Sequence, residues 1–96
     1  SHSDEIERIQ TLYMNIGVTY FTLGKPEEGI HYFNLAEEEC LQTIKQNPEN
    51  NSLRKVLSNV YHSKAHYFYP TRNDKESYEN YLYKAIDILE SPYTVE

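Results

Sequence analysis

Six apolar residues, Ile6, Ile9, Tyr13, Ile16, Tyr20 and Leu23, follow one another at spacings of three, four, three, four and three. An α-helix, with about 3.6 residues per turn, brings such a set to one face, whereas a strand would scatter it over both. The spacing predicts a helix over Glu5 to Leu23. Asp4 is expected to cap it, with Glu7 three residues on completing a capping box and Glu5 well placed for the helix dipole. Thr11, Met14, Val18 and Phe21 recur at three and four on a second side of the same helix. A helix apolar on two sides is sandwiched or holds a partner.

Leu23-Gly24-Lys25-Pro26 interrupts the pattern. Gly24 tolerates the positive φ of a helix C-terminus, and Pro26 lacks an N–H where a first helical position needs none. A second helix is predicted from Glu27 to about Gln46, carrying Ile30, Phe33, Ala36, Cys40 and Ile44 inward and Glu37, Glu38 and Glu39 mostly outward as a solvated acidic face. Close backbone approach needs small residues on facing surfaces, and Gly17, Gly29 and Ala36 supply them. Tyr13, Ile16, Tyr20 and Phe33 fill the remaining volume. Asn47 to Ser52 is rich in turn residues, Pro48 stops the helix, and Asn51 or Ser52 is expected to cap the next. That third helix, roughly Leu53 to Tyr69, turns Leu53, Val56, Leu57, Val60, Tyr61, Lys64, Ala65 and Phe68 inward, and Pro70 ends it. Asn73 with Glu76 reads as a capping box for a fourth helix, Asp74 to Glu90, whose buried strip is Tyr78, Tyr81, Leu82, Ala85, Ile88 and Leu89. Ser91-Pro92 closes it, and residues 93–96 are too few to assign. The fold class is all-α, four antiparallel helices.

Tyr13-x-x-Ile16-Gly17-x-x-Tyr20, the Leu23–Pro26 break and Gly29-x-x-x-Phe33-x-x-Ala36 together resemble a tetratricopeptide repeat. A second copy follows. Tyr61-x-x-Lys64-Ala65-x-x-Phe68 lies 48 residues after its counterpart, and the Ala85 of Tyr81-Leu82-Tyr83-Lys84-Ala85 lies 49 after Ala36. Both offsets exceed the family's period of about 34, which longer helices and a longer Tyr69–Asp74 loop would absorb. The resemblance implies two helical hairpins, residues 4–50 and 51–92, forming a fragment of a right-handed α-solenoid. It also implies a non-catalytic protein–protein interaction module that takes a peptide segment or partner helix in a concave groove. Carried over residue by residue, the groove is lined by Thr11, Met14, Asn15, Val18 and Phe21 from the first hairpin and Asn59, His62, Ser63, His66 and Tyr69 from the second. Two alternatives belong to other classes: the peptide-sensing domain of a bacterial transcription regulator or pheromone receptor, and a homodimerisation element. Units of this kind need about three to bury a continuous core, so two should leave an apolar flank for a further repeat or a two-fold partner.

The remaining features exclude other functions. Ninety-six residues bound one domain without room for a large cleft, and Ser1-His2-Ser3 (1–3) reads as a cloning scar. With no apolar run near the roughly 20 residues of a membrane span, the expectation is a soluble, cytoplasmic chain. The lone Cys40 precludes an internal disulfide. Net charge is −6, with nine acids against three bases over residues 1–50 and six of each over 51–96. Such a first half repels nucleic acid. His62 and His66 share a helix face, but a metal site needs three or four ligands, so no metal or other cofactor is expected. Cys40 falls on a core face, no Gly-rich phosphate loop is present, and no carboxylate pair sits in an apolar setting. The chain does not read as an enzyme.

Overall fold

The computed structural model describes residues 2–90. Four helices occupy them, α1 (His2–Thr22), α2 (Pro26–Gln46), α3 (Asn51–His66) and α4 (Lys75–Glu90), with no strand among the described residues. Ser1, the Ser91-Pro92 stop and the tail 93–96 lie outside these.

The helix ends follow local chemistry, in four places differently from expectation. Because α1 already begins at His2, Asp4 does not cap it; with Glu5 it stands in the first turn, where a carboxylate offsets the positive end of the helix dipole. Asn50, rather than Asn51 or Ser52, caps α3, its Oδ1 accepting the Leu53 N–H at 2.9 Å. Asp74 caps α4 instead of Asn73: it accepts the Ser77 N–H at 3.1 Å and the Ser77 hydroxyl at 2.7 Å, and these bonds hold its carboxyl below the usual range. Asn73 is left in the left-handed region at φ 54°.

The α1–α2 turn behaves as its residues require. Gly24 takes φ 76°, the Lys25 N–H reaches Tyr20 O at 2.8 Å and the Gly24 N–H reaches Phe21 O at 3.0 Å. That pair of bonds satisfies the last carbonyls of α1, and Pro26 opens α2. Regular helix in α3 stops at His66, short of the expected Tyr69. Tyr69, at φ −150° and ψ 128°, is extended as a residue before proline prefers, and Tyr67–Thr71 forms a distorted turn.

Packing is organised around α3. Contacts run antiparallel between α1 and α2, α2 and α3, and α3 and α4, with α1 also touching α3; among the described residues α1 and α4 do not meet. The result is a slab of 42 × 27 × 14 Å, two helix layers thick. One cluster joins Cys40, Leu53, Leu57, Tyr61 and Ala85, and another joins Phe33, Ala36 and Val60 with Tyr13, Met14 and Phe21 against it. Polar groups buried here have partners across helices. Arg54 Nε donates to Ile88 O at 3.0 Å, and the Ser58 hydroxyl donates to Ala85 O at 2.7 Å, fixing α4 on α3. Lys64 Nζ reaches Glu37 at 2.8 Å and lies 4.7 Å from the Tyr81 ring centroid, so one cation links α2, α3 and α4. Glu37 is thus turned inward, unlike the expected outward run. Burial works against the Lys64 ammonium, yet hydrogen bonds to Glu37 and Tyr81 outweigh it and raise the pKa.

On α1 the inner face differs from the first strip read in the sequence. Ile9 is 45% exposed and Leu23 65%, while Gln10 and Gly17 are buried and Tyr13, Met14 and Phe21 half-buried. The contact line runs through Gly17, because only there can the α2 backbone come close: a Cβ on Gly17 would lie 2.9 Å from Gly29 O. Centring the interface on Gly17 rotates Ile9, Leu12 and Leu23 outward. On α4, Leu89 of the expected buried strip is likewise exposed.

Gln10 is the cost of that rotation. Its Nε2 donates to the Glu39 carboxylate, but its Oε1 is buried without a hydrogen-bond partner. An unsatisfied buried acceptor costs about 1–3 kcal/mol, and exposed Glu39 can return to water. We expect Gln10→Met to stabilise the domain by about 1 kcal/mol, seen as a melting point roughly 4–8 °C higher. A lower melting point would mean that the bond to Glu39 outweighs the orphan oxygen.

Candidate functional site

Two concavities lie side by side where α1 meets α3. Val18, Phe21 and Thr22 from α1, Phe33 from α2 and Ser63 and His66 from α3 line the first, of about 180 Å³. Glu7, Arg8, Thr11, Leu12 and Asn15 line the second with Val56 of α3, about 380 Å³. Four of the ten groove residues expected from sequence, Val18, Phe21, Ser63 and His66, therefore converge on one cleft, and Thr11 and Asn15 on its neighbour. They meet because Gly17 lets α1 sit low against α2, bringing its side within reach of α3.

The walls differ in stiffness. Phe21 is stacked on Phe33 at 5.4 Å between centroids, meets Tyr67 edge-on at 6.1 Å and covers Gly29, so its ring is a fixed wall. Val18 beside it is exposed. Met14 departs from the expected lining: it is half-buried against the Phe33, Ala36 and Val60 cluster and serves packing.

On α3, Asn59 and His62 are exposed, the His62 and His66 rings are 5.2 Å apart, and His66 lies 5.9 Å from Tyr78 of α4. Tyr69 leaves the helix and rests against Tyr78 at 5.8 Å, with Lys75 Nζ 5.3 Å from its ring centroid. Imidazole and phenol rings thus run from the cleft towards the start of α4. Among the described residues, no group of three or more His, Cys, Asp or Glu side chains could hold a metal ion.

Cys40 is buried in the core, and burial, with Glu39 and Glu37 nearby, pushes its thiol up to about 12. A thiol held protonated in this way is a poor nucleophile. No helix among the described residues is long and apolar enough to cross a membrane.

Sequence reasoning missed a second surface. Leu12, Asn15, Ile16, Thr19, Tyr20 and Leu23 line a shallow apolar depression of about 440 Å³ on the outer side of α1. Half of the strip expected in the core is there. The signal that could have found it was the Gly17–Gly29 pair, which fixes the rotation of α1. No protein-family model, curated protein or solved structure matches the chain.

Proposed function

We propose that this domain is a non-catalytic, tetratricopeptide-like interaction module whose α1–α3 face holds a peptide segment or a partner helix. The observation carrying this reading is the cleft in which Val18 and Phe21 meet Ser63 and His66. It pairs a rigid aromatic wall and an exposed aliphatic side chain with hydroxyl and imidazole groups, the mixture of apolar anchor and orienting polar group that peptide grooves use. The cleft is small, so few anchors act and affinity falls in the micromolar range. A peptide-sensing role within a larger regulator would use the same face.

Selection of a displayed random-peptide library against the domain tests it. Enriched peptides should perturb the amide resonances of Val18, Ser63 and His66, and Val18→Arg should abolish binding while leaving helix content intact. Peptides that bind with Val18→Arg unaffected would place recognition elsewhere.

The outer strip of α1 supports homodimerisation as a second reading, since Leu12 is 57% and Leu23 65% exposed on one helix side. Light scattering then gives twice the 11.4 kDa chain mass, and Leu12→Arg returns a folded monomer. A wild-type monomer at high concentration removes that reading and leaves the groove untouched.

A further inference from the structure

Resting on the groove reading, we infer that the segment it takes is acidic, with an apolar side chain seated at Val18 and Phe21 and side-chain carboxylates laid along α3. In a chain of net charge −6, α3 contains no Asp or Glu. Arg54 and Lys64, two of its cations, are used internally, against Ile88 O and Glu37. The other basic side chains, Lys55, His62 and His66, are exposed together with Asn59.

These four residues are spaced four, three and four, which places them on one stripe of the helix. The other sides of α3 are occupied. Val56 and Ser63 border α1, Leu57 and Lys64 face Cys40 and Glu37 of α2, and Arg54 and Ser58 bond α4. The stripe is therefore the exposed side of α3 between the sides that meet α1 and α4, continuous with the cleft at His66 and bordered there by Tyr78. Glu7 and Arg8 of α1 stand together at its Val56 end.

An ammonium, a carboxamide and imidazole N–H groups are all donors, and carboxylate is the acceptor that such a row satisfies best. A basic segment would be drawn instead to the acid-rich α2. Charge complementarity thus separates acidic from basic partners on this face and sets how they approach.

Three end-blocked peptides of roughly 12 residues, a typical helix length, carry identical Leu anchors with Glu, Gln or Lys between them; blocking the ends removes the terminal carboxylate as a source of binding. In fluorescence anisotropy we expect the Glu peptide to bind about tenfold tighter than the Gln peptide, the Lys peptide not to bind, and the difference to shrink in high salt. A Lys55→Gln, His62→Gln, His66→Gln variant should keep its circular dichroism and bind Glu and Gln peptides alike. Equal binding of both by wild type, lost in Val18→Arg, would overturn the acidic preference while keeping the groove. Tighter binding of the Lys peptide would overturn it as well. Binding of none of the three would overturn both readings.

Discussion

Gly29→Ala should lower the stability of this domain by about 2–3 kcal/mol, visible as a fall in melting temperature of roughly 10–20 °C. The added Cβ would stand 2.5 Å from the Phe21 ring and 2.7 Å from Gly17 O. The ring is held by its contacts with Phe33 and Tyr67, and the carbonyl retreats only if α1 and α2 separate. Separation would loosen the Phe21–Phe33 stack and the Tyr13–Tyr32 and Tyr20–Tyr32 contacts along the same seam. Against this, alanine gains about 1 kcal/mol over glycine inside a helix, which offsets part of the overpacking. Gly24→Ala is the control. Its Cβ would meet nothing within 4 Å, so its cost of about 1–2 kcal/mol comes from φ alone. Thermal melts in which Gly29→Ala is no worse than Gly24→Ala would show that the close approach does not hold the first hairpin. The same movement would widen the cleft, linking this packing defect to loss of any ligand held at Val18 and Phe21.

Alkaline titration should unfold the domain well before its arginines titrate. Burial, then Glu39 and Glu37, moves the Cys40 thiol from its ordinary 9.0 to about 12. Burial first, then Glu37, Tyr81 and Cys40, moves the Tyr61 phenol from 10.0 to about 12. The folded state therefore keeps protons that the unfolded chain releases above pH 9 to 10. Unfolding releases protons in this window, so raising the pH favours it. The contribution is complete below pH 9 and disappears as pH rises through about 12. At about 1.4 kcal/mol per pH unit, Cys40 alone accounts for a loss on the order of 4 kcal/mol. Lys64 acts in the same direction: although burial opposes its charge, hydrogen bonds to Glu37 and Tyr81 raise its pKa in the folded state, so that contribution too is lost as the pH rises. Urea midpoints measured from pH 8 upward should fall steeply above pH 9, and Cys40→Ala, whatever its own cost, should flatten the slope. A midpoint constant through this window would mean that neither group is shielded as the core suggests.

Much of this architecture is legible in the residues. The spacing of three and four along each segment specifies helices, because no other regular backbone brings those positions to one face. Gly24 and Pro26 mark the first turn through φ and a missing N–H, and Phe33, Ala36 and Cys40 announce the inner face of α2 by their period. Thr11, Asn15, Val18 and Phe21 can be placed on one side of α1, and Ser63 and His66 on one side of α3, by helical period alone; that these two sides line neighbouring concavities is decided by how the helices pack. Caps were harder to read. Several turn residues in a row compete for each helix start, and Asn50 and Asp74 win by the geometry of the bonds they accept rather than by their type.

What the sequence by itself determined, then, is local: which stretches become helices, where two turns fall, and that α3 carries no acid in an acidic chain. Tertiary structure decided the rotation of each helix about its axis. Two apolar sides of α1 competed for the core, and the choice fell to the approach of Gly17 to Gly29, a contact between residues 12 apart in sequence. That choice exposed Leu12 and Leu23, buried Gln10, assigned Met14 to packing and left Val18 at a cleft. Periodicity ranks faces by hydrophobicity, but it carries no information on how near two backbones can come. In this domain, nearness placed the cleft between α1 and α3.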